Sequence, residues 1–447
     1  YVVRSLFERG PEVFPKSVIE RPAVFEEIVS LLDNPDAHRE AIRTICVLVR
    51  AAIAHQPQKV FDALNKRDPA NLYRTFLQHV NNGPMLQMCS SVFAANVQGL
   101  IKLADCNLYS ILETQFVAAA IVLCDAKTGS EDQEQALAKV ENTVVLFMEF
   151  SRKIVFTGRA SVSNKPPTND DKYVKRLNAS IETLDALVHP SPCKVMFQTA
   201  LDLAVVPNRC RSVPALVTHT ARLVNSLWLA AFQSLEAEQA MVRQIAQQRD
   251  LRVYERVLQD LGPLLVEAFK ALCRATTEDK IDCIGSHGEA ILQCTILMTS
   301  IFRHASFETL RAYVDLDVVE IALHCLVDKP QCSLLHCKII DFIEAATRSK
   351  AVQRLVEKGV PGKLLQMEKE ADSAPLKAEL GRAMATFATN EAVLLSSGAA
   401  FADRAKDKLM EATRLQTQSL FAEQLPNRER ATSGEAAALF TEREISE

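Results

Sequence analysis

Five histidine and cysteine residues that stand close together in the sequence are the strongest candidates for metal chemistry. They are His324, Cys325, Cys332, His336 and Cys337. Cys332 and His336 are four residues apart, so one helix would place both on the same face, and four such side chains can hold a zinc ion. The spacing is not that of a zinc finger, however, and the chain contains no Cys-x-x-Cys pair. We therefore predict structural roles for these residues and no metal site.

A second candidate is the segment 282–289, which brings a thiol, a hydroxyl, an imidazole and a carboxylate close together in sequence. A catalytic triad needs more than closeness in sequence, because nucleophile, base and orienting group must converge in space from rigid elements. The segment interrupts an apolar helical run from Glu278 to Phe302. We interpret it as a kink or turn within that run, without a catalytic role.

Other signatures of catalysis and cofactor binding are absent from the sequence. It contains no phosphate-binding loop of the GxxxxGK[ST] or GxGxxG type, no HExxH or GxSxG motif, and no EF-hand loop. Two carboxylate pairs, Glu26 with Glu27 and Glu368 with Glu370, are predicted on solvent-facing sides of helices. The sequence therefore predicts a protein that is not an enzyme, with no cofactor and no small-molecule substrate.

The composition indicates which elements hold these residues. Of the 447 residues, 48% are hydrophobic, 24% are charged and only 6% are aromatic. Glycine occurs 13 times, whereas average usage of about 7% would give about 31. Few glycines mean few tight turns, and the recurring Ala, Leu, Glu, Gln and Arg favour helices over strands. We predict an all-α fold.

Charge and cysteine usage narrow the function classes. The chain has 51 basic and 55 acidic residues, for a formal charge of −4, which disfavours general nucleic-acid binding. Its 12 cysteines are scattered through apolar helical patterns and are expected to be reduced core residues in a reducing intracellular compartment. The longest apolar run, Phe116 to Cys124, falls well short of the roughly 20 residues of a transmembrane helix. A processed terminus at Tyr1 would indicate the mitochondrion, and otherwise the cytoplasm is expected.

Apolar residues recur at three- and four-residue steps along most of the chain, as they do in amphipathic helices. Short polar turns such as 33–36 separate successive stripes, which predicts antiparallel helix pairs. The polar segment from Thr157 breaks this rhythm with Pro166 and Pro167. The predicted organisation is listed by residue range: N-terminal helical repeats in 1–156, a polar linker or loop in 157–172, C-terminal repeats in 173–398, and a helix with an assembly tail in 399–447.

An internal repeat stands out near the C-terminus. An offset of 42 aligns 313–315 with 355–357 and brings Ala322-Leu323 onto Leu364-Leu365, a period typical of helical repeats that stack to bury their apolar faces. The segments 354–366 and 374–390 together resemble one armadillo repeat, with a short helix that ends at Gly359, a second helix that carries Leu364-Leu365, and a long third helix. The resemblance implies an armadillo/HEAT-like α-solenoid of stacked helix pairs, with Leu364 and Leu365 facing inward.

Three functions are compatible with this fold. The first is a non-catalytic scaffold or accessory subunit of a multiprotein complex, which binds other subunits through its repeat surfaces and its tail. The tail 427–447 is charged, and only Leu439 and Phe440, next to three alanines, offer an apolar anchor for a partner. The alternative is an adaptor or regulator that grips a peptide or a small GTPase. A groove lined by Asn, Arg or aromatic side chains would favour it, whereas a flat, apolar outer patch would favour the first function. A divergent helical enzyme is the third.

Overall fold

The computed structural model describes the chain in separate ranges. These are 21–34, 38–64, 69–95, 108–127, 129–160, 192–204, 213–235, 252–278, 284–328, 333–389, 397–411 and 413–414. All regular secondary structure in these ranges is helical, which confirms the predicted all-α fold class. The chain forms two compact units, Tyr1–Leu316 and Asp317–Glu447. The predicted boundary at 156 falls within a helix that continues to Ala160, and the rest of the predicted linker lies outside the described residues.

The first unit contains twelve α-helices among its described residues. They are α1 (Pro22–Ser30), α2 (Arg39–His55), α3 (Pro57–Leu64), α4 (Pro69–Gln78), α5 (Gly83–Ala95), α6 (Leu108–Asp125), α7 (Glu131–Ala160), α8 (Pro192–Ala204), α9 (Val213–Leu235), α10 (Arg252–Glu278), α11 (Ile284–His304) and α12 (Phe307–Asp315). A short 3-10 helix, Leu31–Asp33, follows α1. Many of these helices begin at or next to a proline, whose missing N–H costs nothing in the first turn.

These helices pack in two layers. In one layer α2 contacts α5, which contacts α7, followed by α9 and α11; in the other, α4, α6, α8, α10 and α12 follow one another in the same way. The pairs α6–α7, α8–α9 and α10–α11 join the layers. Short connections such as 126–130 make paired neighbours antiparallel. Each pair therefore buries one apolar stripe against its partner and the flanking pairs, as the repeat pattern predicted.

Tyr313 on α12 shows how closely two helices of one layer approach each other. Its hydroxyl donates to the Leu258 carbonyl of α10 at 2.9 Å, and its ring packs edge-on against Phe302. A Cβ on Gly262 would lie 3.2 Å from the Tyr313 ring, so glycine makes room for this contact. The next residue, Pro263, lies inside α10. Burial raises the pKa of Tyr313 far above its ordinary value, so the phenol stays a hydrogen-bond donor.

The second unit contains the predicted armadillo-type repeat. Its helices are α13 (Val318–Asp328), α14 (Ser333–Arg348), α15 (Val352–Glu357), α16 (Val360–Glu370), α17 (Ala374–Ala388) and α18 (399–411). The short α15, the left-handed Gly359 with φ 74°, the helix α16 and the long α17 form the three-helix pattern that the sequence resembles. The helix α16 packs on α13, α15 and α17.

The 42-residue offset is visible in the backbone. The helices α13 and α16 both have 11 residues, and their first residues, Val318 and Val360, stand in the predicted register. The residues just before them, Asp317 and Gly359, both have a positive φ, at 60° and 74°. Left-handed backbone is uncommon outside glycine but tolerated by aspartate, whose side chain here binds Lys358 at 2.8 Å. The repeat therefore reproduces helix length, register and turn geometry.

Candidate functional site

A cavity of about 550 Å³ lies between α2 and the beginning of α5 in the first unit. We call it the α2–α5 groove. Its lining residues come from two segments: Arg39, Glu40, Arg43, Cys46, Val47 and Arg50 from α2, and Asn82, Gly83, Pro84 and Gln87 from the start of α5. The groove therefore contains the first turns of two helices.

Helical spacing places the α2 arginines on one side. Arg39, Arg43 and Arg50 are separated by four and seven residues, which are close to whole turns. The apolar residues of α2, such as Ile45 and Val49, are buried on the side that packs into the unit. At a rise of about 1.5 Å per residue, Arg39 and Arg50 lie about 16 Å apart along the helix. The groove thus carries a row of guanidinium groups about three turns long.

The positive charge of this row is only partly compensated. Arg43 faces Glu40 at 3.9 Å, and both side chains are about three-fifths exposed, so the pair is weak. Arg50 donates to the Gln87 side-chain oxygen at 2.6 Å, which fixes the guanidinium but does not neutralise it. Arg39 has no carboxylate partner within the described part of the chain. Three arginines and a single carboxylate line the groove, which is therefore electropositive.

Asn82 lies in the floor of the groove and is only 6% exposed. Its carbonyl accepts the N–H groups of Met85 at 2.9 Å and Leu86 at 3.1 Å, which starts α5. Its side-chain Nδ2 is buried and has no hydrogen-bond partner among the described residues. The adjacent Gly83 is exposed, and a Cβ there would meet nothing within 4 Å. The start of α5 is thus open at Gly83, and the buried Asn82 amide beside it lacks an acceptor.

Cys46 is the groove residue closest in type to a nucleophile, but its environment does not activate it. Burial raises the pKa of its thiol to about 12, although the nearby charge of Arg50 acts in the opposite direction. The thiol is therefore protonated at neutral pH, whereas nucleophilic attack requires the thiolate. The groove is suited to binding an anion and lacks an activated thiol.

Farther along the same layer, polar side chains are paired with one another. Arg222 on α9 binds Glu289 on α11 at 2.7 Å, and Gln293 donates to the same carboxylate at 2.9 Å. Burial lowers the pKa of the neighbouring His219, so its imidazole is neutral at pH 7. Here the charges cancel within the chain. The α2–α5 groove differs in that its arginines outnumber its carboxylates.

Glu289 belongs to the segment 282–289 that the sequence singled out. The structure places it at the beginning of α11, in the ion pair with Arg222. Asp282 and Cys283 lie outside the described residues, as do the side chains of Ser286 and His287. From Ile284 the segment belongs to the helix α11, whereas residues 279–283, where the predicted kink or turn can fall, lie outside the described residues.

The histidine and cysteine cluster is dispersed among the described residues. Cys325 and His336 are buried, whereas Cys337 is exposed and the His324 side chain, 63% exposed, faces Glu320 at 3.9 Å. Cys332 lies outside the described residues. Within the described ranges, no three His, Cys, Asp or Glu side chains are grouped so that they could hold a metal ion. The predicted structural role of Cys325 agrees with its burial.

Most described cysteines occupy the core. Cys46, Cys89, Cys124, Cys273, Cys294 and Cys325 are all buried and free, whereas Cys337 is exposed. Burial raises the pKa of the Cys89 thiol far above its ordinary value and that of Cys294 to about 12. These thiols act as small apolar side chains, as predicted.

In the described part of the chain, no helix has the length and apolar character needed to cross a membrane.

The prediction that the carboxylate pairs face solvent is wrong for Glu368. It is only 5% exposed, because α18 covers this side of α16 and brings Arg404 and Lys408 to it. The Arg404 guanidinium donates to both carboxylate oxygens, with the Nε to Oε2 distance 3.1 Å. Glu370 is exposed as predicted. Leu439 and Phe440, the predicted partner-binding residues, lie outside the described residues.

Comparison with known proteins gives a distant structural similarity and no sequence match. No family profile matches the sequence, and no curated protein matches it. The crystal structure of Kap121p bound to Nup53p is 12% identical, with a TM-score of 0.29, covering 94% of this chain and 44% of that one. The crystal structure of Kap121p bound to the extreme C-terminus of the protein phosphatase Cdc14p is 12% identical, with a TM-score of 0.26. That match covers 92% of this chain and 43% of that one. The crystal structure of Uso1-2 is 13% identical, with a TM-score of 0.21, and the match covers 90% of this chain and 71% of that one. This chain thus spans about two fifths of the Kap121p structures it matches.

Proposed function

We propose that this chain is a non-catalytic protein-binding repeat protein that holds an acidic segment of a partner in the α2–α5 groove. The observation that carries this proposal is the row of Arg39, Arg43 and Arg50 along α2, faced by one carboxylate. Exposed arginines bind carboxylates through paired hydrogen bonds and steer acidic partners toward the groove. Of the functions compatible with the fold, an adaptor that grips a peptide is the one favoured by a groove of this kind.

The dimensions of the groove suit a peptide. Its row of arginines extends about 16 Å at about 1.5 Å per residue of helix, and an extended peptide advances about 3.3 Å per residue. The row therefore matches about five residues of an extended partner segment. Acidic side chains on one side of such a segment recur about every 7 Å, a spacing comparable to the four-residue step from Arg39 to Arg43.

The groove chemistry supports binding rather than catalysis. Cys46 is protonated, Glu40 is exposed beside Arg43, and Arg50 is held by a neutral amide. Acid–base catalysis would need a titratable group with a perturbed pKa aimed at the cavity, together with a second group that completes the reaction. We therefore assign no catalytic residue to the groove.

Charge reversal at Arg39 and Arg43 tests this function. We expect the double variant Arg39→Glu/Arg43→Glu to weaken binding of an acidic peptide about a hundredfold, if each reversal costs about 1.4 kcal/mol, or tenfold. The probe is a fluorescein-labelled peptide of alternating glutamate and glycine, titrated with the full chain and followed by fluorescence anisotropy. Binding should also weaken as salt is raised.

A matched control is Arg256→Glu, which reverses an exposed charge on α10, outside the groove. It should leave the affinity for the glutamate peptide almost unchanged. The proposal is wrong if a lysine–glycine peptide of the same length binds equally well, or if Arg256→Glu weakens binding as much as the groove variant does.

We also propose that the tail 427–447 is a separate docking element, with Leu439 and Phe440 as its anchors. A segment with so few apolar residues contributes little to the stability of the repeats. Deleting it should leave the helical circular dichroism signal almost unchanged. A labelled peptide of residues 427–447 should bind the truncated chain, and alanine at both Leu439 and Phe440 should abolish this binding. A deletion that melts the helices, or a double-alanine peptide that binds equally well, would contradict this role.

A further inference from the structure

We infer that the α2–α5 groove recognises a phosphorylated serine or threonine, through a phosphate subsite at the start of α5. This inference rests on the proposed function, because it names the anionic group that the partner segment carries. The subsite consists of Asn82, Gly83 and Arg50, with Gln87 positioning the arginine. Three independent features of the groove point to it.

The first feature is the unpartnered amide of Asn82. Its Nδ2 is buried in the groove floor without an acceptor among the described residues. A buried donor left unpaired costs about 1–3 kcal/mol, and such groups in proteins nearly always have a partner. An anion oxygen bound in the groove supplies the missing acceptor when the Asn82 side chain turns toward it. The amide therefore indicates a ligand with hydrogen-bond acceptors at this position.

The second feature is the N-terminus of α5. The helix α5 begins at Gly83, which lines the cavity, and the N–H groups of Met85 and Leu86 already donate to the Asn82 carbonyl. A helix start carries a partial positive charge, which binds phosphate in many proteins. Pro84 has no N–H, so the Gly83 N–H is the accessible donor at the start of α5. The missing Cβ at Gly83 leaves this approach open.

The third feature is the state of Arg50. Its Nη1 donates a hydrogen bond to Gln87, which holds the guanidinium against α5, the helix that begins at Gly83. Because Gln87 is neutral, this contact does not neutralise the arginine. Glu40, the carboxylate of the groove, is ten residues away from Arg50 on α2, or about 15 Å at 1.5 Å per residue. A phosphate ester carries a charge of about −1.5 to −2 and three acceptor oxygens. It can engage the guanidinium, the amide and the N–H together, whereas a carboxylate has two oxygens and one charge.

The source of the phosphate is a peptide rather than a nucleic acid or a membrane. The chain carries a net charge of −4, whereas nucleic-acid and membrane binding need an extended basic surface. The arginines here are confined to one groove about 16 Å long, at about 1.5 Å per residue of helix. A short phosphorylated segment satisfies such a groove without the extended basic surface that a nucleic acid or a membrane needs.

Three matched peptides test the inference with the full chain. All have the alternating glutamate and glycine background, and the central residue is serine, glutamate or phosphoserine. We expect the phosphoserine peptide to bind at least about tenfold more tightly than the serine peptide, and more tightly than the glutamate peptide. Inorganic phosphate should compete with the phosphoserine peptide at lower concentration than chloride does.

Two variants separate recognition of phosphate from folding. Asn82→Ala should lower the ratio of the phosphoserine-peptide affinity to the serine-peptide affinity about tenfold. Gln87→Glu, at an exposed position, places a carboxylate on Arg50 and should remove the preference for phosphoserine without disturbing the core. Retained helical circular dichroism in both variants shows that the groove has not unfolded.

The outcomes distinguish this inference from the proposed function. If the serine and phosphoserine peptides bind equally well, the phosphate subsite is wrong and the acidic-peptide groove remains. If no acidic peptide binds, both are wrong. If oligothymidylate, or phosphatidylcholine vesicles doped with phosphatidylserine, binds more tightly than the phosphoserine peptide at the same salt, the assignment to a peptide is wrong. An unchanged phosphoserine preference in Gln87→Glu would also overturn it.

Discussion

Replacing Leu364 by aspartate should unfold the second unit while leaving the first unit folded. Leu364 is completely buried in α16, which packs against α13, α15 and α17. Removing a buried leucine side chain costs about 2–5 kcal/mol even when alanine replaces it, and an unpaired buried carboxylate adds its own desolvation cost. This loss is comparable to the whole stability of a typical domain, about 5–15 kcal/mol. The expected result is therefore loss of the folded second unit.

Hydrogen–deuterium exchange on the full chain measures this effect for each unit. In Leu364→Asp, peptides from α13 to α17 should lose protection, whereas peptides from α6 to α9 should keep it. Leu365→Asp is the matched control, because Leu365 is only partly buried and the change should cost about 1 kcal/mol. Equal loss of protection in both variants would show that the inward face of α16 has been assigned wrongly.

The difference between these two leucines shows what periodicity can predict. The pair Leu364-Leu365 and the 42-residue offset identified α16 as the second helix of a repeat, and the structure confirms the helix and its register with α13. Of the two leucines predicted to face inward, Leu364 is fully buried and Leu365 only partly, since adjacent residues on a helix point about 100° apart. Which of the two lies deepest depends on the neighbouring helices, and the pattern of one helix does not contain that information.

The groove was missed at the sequence level although part of its signal is present there. The apolar residues Ile42, Ile45, Cys46 and Val49 follow the helical period in α2, and Arg39, Arg43 and Arg50 recur on another side at helical spacing. A row of arginines on a helix is usually only a solvated face. What turns it into a candidate site is α5, which starts 33 residues after Arg50 and adds Asn82 and Gly83. Such a contact depends on tertiary packing.

Glu368 was mispredicted for the same reason. Its position in α16 resembles that of the exposed Glu370, and only α18, which begins about thirty residues later, covers it. Two contacts bring α18 close. Phe401 is buried and packs edge-on against Phe387 with ring centroids 5.7 Å apart, and Gly381 leaves room for the Lys408 side chain, which a Cβ would approach to 3.0 Å. These apolar contacts carry α18 to a position where Arg404 reaches the carboxylate.

Glu368→Ala should weaken the docking of α18 on the repeat. The change leaves Arg404 and Lys408 without the carboxylate that both face. Breaking a buried ion pair by removing one partner costs about 3–5 kcal/mol, and the low end applies because the Arg404 side chain is 42% exposed and can be rehydrated. Hydrogen–deuterium exchange should show lost protection in 399–411 together with a lower free energy of unfolding for the second unit.

Glu370→Ala, two residues away and exposed, should change that free energy by no more than about 0.5 kcal/mol. In the double variant Glu368→Ala/Arg404→Ala, the loss should be smaller than the sum of the single losses, because both remove one interaction. Additive losses, or unchanged protection of 399–411, would show that the apolar contacts alone hold α18 and that the buried carboxylate is incidental to its docking.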